Sequence, residues 1–179
     1  GSTKERVEGV GEGTVYQELL EQYKDFLRIG HMSYSYISTN RTVVSVLDPT
    51  QMDFFVSYVL ASKTDLLGFG IFMTRVLKNS YQAGHRKFKL NLGDNSINRL
   101  FTFYESDMPN LEITITGQTG THFGIHAVDS TFCGENFEEF CGANSKKSTY
   151  RGNNLGYSCG EHSKGSLFVG KIFEGRSGD

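Results

Sequence analysis

The chain has 179 residues, 18 basic and 20 acidic side chains, a net charge of −2 and 37% hydrophobic residues. That length suits one domain with a short appendage, and the near-neutral balance argues against a generic polyanion binder. No apolar run reaches the ~20 residues of a membrane-spanning helix, since Gly68, Gly70, Thr74 and Arg75 interrupt the densest stretch, Leu66 to Leu77.

Gly1-Ser2 reads as a cloning remnant, and residues 3–13 as a mobile lead of glycines and charges. Thr14 and Gln17 have the spacing of a helix capping box. Tyr16, Leu19, Leu20, Tyr23, Phe26 and Leu27 then recur at helical spacing until Gly30 stops the pattern. Residues 1–31 are therefore read as a mobile N-terminal segment with an amphipathic helix, and 32–179 as a single α+β domain. Gly30-His31-Met32 has the look of a cloning junction. The helix is thus either the first core element or a fused docking peptide, and its six apolar residues are the expected partner-binding stripe.

From Met32 the period changes to two. Tyr34, Tyr36 and Thr39 precede an Asn40-Arg41 turn and the run Thr42–Leu47, which together predict a β-hairpin. Asp48-Pro49-Thr50-Gln51 combines a capping residue, a first-turn proline and a returning Gln, the strongest helix start in the chain. A second helix is expected from about Asp65 to Asn79. Beyond Gly84, strands are expected at Lys87–Leu92, Ile97–Tyr104, Leu111–Thr116 and Thr121–Val128, separated by Gly-, Asn- and Asp-rich turns. Such short connections predict antiparallel pairing. A short helix is expected over Phe132–Cys141, loop over 142–164 and a last strand at Leu167–Phe173; the chain is read as non-repetitive. The expected architecture is α+β: an antiparallel β-sheet meander packed against two or three helices, with the amphipathic helix in front.

Three constellations bear on chemistry. Cys133, Cys141, Cys159 and His162 supply three thiols and an imidazole, the right donors for tetrahedral zinc, and Cys159-Gly160-Glu161-His162 has knuckle spacing. The competing reading is unrelated thiols, and an odd cysteine count without a secretory leader predicts reduced cysteines in a cytoplasmic or otherwise intracellular protein. His122 and His126 would share a strand face near Cys133 and Asp129, as Cys/His chemistry would need, although none of the usual nucleophile signatures accompanies them. Arg86, Lys87, Lys89 and Arg99 belong to a basic 75–99 stretch in which lysines alternate with Phe88 and Leu90, a pattern suited to phosphates and stacked bases. The acidic group Glu135, Glu138 and Glu139 reads as a solvated face, and Gly117–Gly120 and Ser163–Ser166 are incomplete phosphate loops.

The function expected on these grounds is a non-enzymatic protein-interaction module that binds an amphipathic helical segment in an apolar groove, or self-associates through it, away from membranes. The alternatives are a single-stranded nucleic-acid-binding module using residues 75–99, and a small zinc- or Cys/His-dependent enzyme. No cofactor is expected, unless Cys133, Cys141, Cys159 and His162 hold zinc.

Overall fold

The computed structural model describes residues 2–29, 45–104 and 107–172. The predicted hairpin lies outside the described residues except for Ser45–Leu47, which form no strand. Three helices are described: α1 (Ser2–Ile29), α2 (Pro49–Ala61) and α3 (Phe69–Gln82). Six strands follow: β1 (Lys87–Asn91), β2 (Glu112–Thr116), β3 (Thr131–Cys133), β4 (Asn136–Phe137), β5 (Thr149–Leu155) and β6 (Leu167–Ile172).

Helix α2 starts where the sequence says it should. Asp48 Oδ1 accepts the Gln51 N–H at 2.8 Å, and Gln51 Oε1 accepts the Asp48 N–H at 2.9 Å, closing the capping box ahead of Pro49. Helix α3 starts later than its apolar pattern suggests. The Asp65 carboxylate takes the Leu67 N–H at 3.0 Å and holds that segment in a turn, so helix begins at Phe69. Gly70 then lets α3 lie against the sheet domain, because a Cβ there would run into the backbone of Asn98 and Arg99.

The strands correct the expected antiparallel meander: every pairing in the six-stranded sheet is parallel. Lys87 lies beside Glu112, Glu112 beside Thr131, Thr131 beside Thr149 and Thr149 beside Leu167. The chain therefore winds as a β-solenoid, one rung upon the next, with rungs of 18 residues in its later part. Parallel neighbours need a return path between them. Residues 97–104 and 121–128, read as strands from their apolar content, supply it as turns. Arg99, Phe101, His122, His126 and Asp129 have positive φ, and the segment's N–H groups bond sideways, as His122 to Glu139 O and His126 to Ala143 O. The expected helix over Phe132–Cys141 is likewise β3, β4 and a turn, and the expected loop over 142–164 contains β5.

The solenoid exposes a repeat that the linear reading passes over. Ser130, Thr131, Gly134, Asn136, Cys141, Gly142, Ser145 and Lys146 recur unchanged as Ser148, Thr149, Gly152, Asn154, Cys159, Gly160, Ser163 and Lys164. Inside the stack, equivalent positions touch. Phe132 stacks on Tyr150 at 4.8 Å between ring centroids, and Tyr150 on Phe168 at 5.0 Å. The buried Ser130 and Ser148 and the half-buried Ser166 form a second ladder: Ser148 Oγ accepts the Ser130 N–H at 3.2 Å and donates to Lys146 O at 3.0 Å, while Ser166 Oγ accepts the Ser148 N–H at 3.1 Å. Their hydroxyls thus satisfy backbone groups that the tight corners would otherwise strand in the core.

At the first rung the sheet edge is covered. Helix α2 packs on β1, and Asp53 Oδ1 takes the Asn91 N–H at 2.9 Å. An edge N–H of this kind would otherwise invite another strand.

Candidate functional site

The stripe on α1 lies in a groove between α2 and α3. Tyr16, Leu19, Leu20, Tyr23 and Phe26 are buried and Leu27 is half-buried. Tyr16 meets Phe55 and Tyr58 of α2 at 6.4 and 6.0 Å between centroids. Tyr23 meets Phe69 and Phe72 of α3 at 5.2 and 5.3 Å, and Phe26 meets Phe72 at 5.8 Å. Tyr16 stacks on Phe55, and the other pairs are tilted or edge-on, arrangements that favour attraction between ring edges and faces. Tyr23 Oη also donates to the Asp65 carbonyl at 2.5 Å, which anchors the helix to the turn before α3. Burial pushes the Tyr23 hydroxyl well above its ordinary pKa, so it stays protonated and able to donate.

The zinc candidates are not drawn into one shell. Cys141 and Cys159 occupy equivalent positions on successive rungs and are buried. Cys133 lies on β3 beside the inward-facing Phe132, and the His162 side chain is 73% exposed. Among the described residues no group of three or more His, Cys, Asp or Glu side chains could hold a metal ion. Burial, followed by the neighbouring Cys159, raises the Cys141 thiol well above its usual range, while the hydrogen bond with Cys141 lowers that of Cys159. His122 and His126 do not share a strand face: both are left-handed turn residues, with φ of 61° and 62°. His122 stacks on Phe140 at 4.8 Å, and burial, with Arg99 next, lowers its pKa. His126 packs edge-on to Tyr104 at 5.2 Å, and burial together with Lys146 lowers its pKa in turn.

The basic stretch is distributed. On β1, Lys87 and Lys89 face outward while Phe88 and Leu90 face inward, the alternation read from the sequence. Lys87 pairs with Glu112 at 3.7 Å. Arg86 lies 3.5 Å over the Tyr81 ring and donates to Tyr81 O at 2.6 Å. Arg99 sits at a corner of the first rung, lining a cavity of about 410 Å³ with Asp65 and His122.

A larger cleft, about 760 Å³, opens on the side of the rungs. Gln118, Asn136 and Asn154 line it from successive rungs, together with Glu138, Glu139 and Tyr157. None of these was singled out as an uncharged polar site from the sequence. The available signal was the recurrence of Asn136 as Asn154 within the 18-residue repeat.

Fold and sites together define a β-solenoid with a helical cap over its first rung. No family model, curated protein or solved structure matches the chain. Among the described residues no helix is long and apolar enough to cross a membrane.

Proposed function

We propose that the protein is a non-enzymatic interaction module whose α2–α3 groove receives an amphipathic helix, with α1 as the occupant supplied by its own chain. The observation carrying this reading is the aromatic seat of α1: Tyr16, Tyr23 and Phe26 meet rings of α2 and α3. Burying each of these large side chains is worth about 1.5–3 kcal/mol, so the groove strongly favours being filled. A tethered helix has a high effective concentration, which a competing helix must overcome.

The double substitution Leu20→Asp and Phe26→Asp in the full chain tests the reading. Placing two carboxylates on the buried stripe should release α1 and leave the solenoid folded. A synthetic 14–29 peptide should then bind the variant saturably and bind the parent chain at least tenfold more weakly. Loss of the solenoid's cooperative melting in the variant would make α1 an ordinary core element and sink the proposal.

A further inference from the structure

We infer that the 760 Å³ cleft is a binding site for a neutral, unbranched oligosaccharide lying along the stack of rungs, independently of what the helical groove receives. Sugars present two kinds of surface at once: flat C–H faces that pack on aromatic rings, and pairs of hydroxyls that need donors and acceptors at fixed spacing. The cleft offers both. Tyr157 lines it and is 45% exposed, and Gly156 beside it packs closely on the backbone of Glu138 and Glu139 in the preceding rung. A polar handle on an apolar ring is the side chain that serves such half-wet contacts.

The amides supply the second surface. Asn154 Nδ2 donates to Asn136 Oδ1 at 2.5 Å, and Gln118 Nε2 donates to Glu138 Oε1 at 2.5 Å. These bonds tie the side chains to one another before any ligand arrives. They leave Asn154 Oδ1, Asn136 Nδ2 and Gln118 Oε1 without a protein partner among the described residues. Preorganised donors and acceptors of this kind fix a ligand's orientation at little ordering cost.

Charge and direction narrow the ligand class. Glu138 and Glu139 line the cleft and no Lys or Arg does, so an anionic chain would be repelled while hydroxyl donors find acceptors. Gln118, Asn136 and Asn154 stand at one register position of three rungs, and Thr121, Glu139 and Tyr157 line the same cleft. Strands in a sheet are spaced by about 4.8 Å, so polar groups repeat along the solenoid axis as hydroxyls repeat along a linear sugar chain. Thr121 also borders the 410 Å³ cavity that continues to Ser96 and Asn98, which gives such a chain a path beyond the first contacts.

The test titrates the full-length protein with neutral unbranched hexasaccharides of glucose, mannose, galactose, xylose and N-acetylglucosamine, followed by NMR shifts of the tyrosine and side-chain amide signals. At least one should bind saturably below millimolar concentration, and a galacturonic acid hexamer should bind at least tenfold more weakly. Tyr157→Ala should weaken binding about tenfold, whereas Tyr157→Phe keeps the ring and should stay within about twofold of the parent. Because Tyr157 is at the surface, both variants should melt like the parent. Failure of every neutral hexasaccharide, tighter binding of the acidic one, or unchanged affinity in Tyr157→Ala would each overturn the inference.

Discussion

Gly142 meets two independent constraints at one Cα. Its φ of +66° belongs to the left-handed region, and a Cβ there would stand 2.7 Å from Tyr150 and 2.8 Å from Phe168. Gly142→Ala should therefore destabilise the protein by about 2–5 kcal/mol, adding conformational strain to overpacking, as urea denaturation would measure. Tyrosines set the alkaline limit. Burial raises the pKa of Tyr23, and burial followed by Cys141 raises that of Tyr150. Unfolded tyrosine titrates near pH 10, so above that pH the unfolded chain loses a proton that the folded chain keeps. The stability these groups contribute is fully present below about pH 10 and falls as pH rises beyond it. Urea midpoints followed from pH 8 to 11 should show this contribution constant to about pH 10 and falling beyond it, and Tyr23→Phe should flatten that fall. The same variant should cost about 0.5–1.5 kcal/mol at neutral pH, because the bond to Asp65 O is lost.

Helix α2 and the serine ladder show how an element's ends and corners are held. Asp48→Ala removes an acceptor that Gln51 N–H uses and should cost about 1 kcal/mol. Asp48→Asn, which retains a capping oxygen, should recover most of it in the same thermal melt. Ser148 is the more demanding position, since its hydroxyl serves Ser130 N–H and Lys146 O at once. Ser148→Ala leaves a buried N–H without a partner and should cost about 1–3 kcal/mol, more than loss of a single exposed cap. A melt in which Asp48→Ala proved the more damaging would contradict this account of the corners.

At the scale of the molecule, an 18-residue rung should behave as a removable unit. Deleting residues 148–165 brings Ser166, Leu167 and Phe168 to the places of Ser148, Thr149 and Tyr150, so the inward and outward faces keep their order. Solenoid stability is roughly a sum over repeats and their interfaces, so the shortened protein should fold cooperatively with a lower melting temperature. Deleting only residues 148–156 shifts the chain by half a rung and places outward-facing residues in the core. Circular dichroism and size-exclusion chromatography should then find an unfolded or aggregated chain. Two folded deletion products would refute the rung as the structural unit.

Local chemistry was legible wherever it is local in sequence. The Asp48-Pro49-Gln51 start, the α1 stripe and the alternation of Lys87, Phe88, Lys89 and Leu90 all depend on neighbours within a few residues, and all are present in the fold. Strand direction does not depend on such neighbours. The Gly-, Asn- and Asp-rich segments between the expected strands, at Gly93–Asn95, Asp107–Asn110 and Gly117–Gly120, predict hairpin reversals. In the structure they are corners of a coil, because Thr131 finds its partners at Glu112 and Thr149 rather than across a tight turn. The repeat of Ser130–Lys146 in Ser148–Lys164 was present in the letters, but its meaning lies in contact between equivalent positions. Cys141 beside Cys159 illustrates this: side chains 18 residues apart in sequence are neighbours in the core on successive rungs. The cleft of Gln118, Asn136 and Asn154 likewise exists only after stacking. The residues alone sufficed for the capped start of α2 and for the buried stripe of α1, since both follow from short-range hydrogen bonding and apolar spacing, whereas α1 begins at Ser2 rather than at Thr14 and α3 at Phe69 rather than at Asp65. Only the tertiary structure decided parallel winding, the cleft and the groove beneath α1, because each is made by residues that the backbone brings together from different rungs or helices.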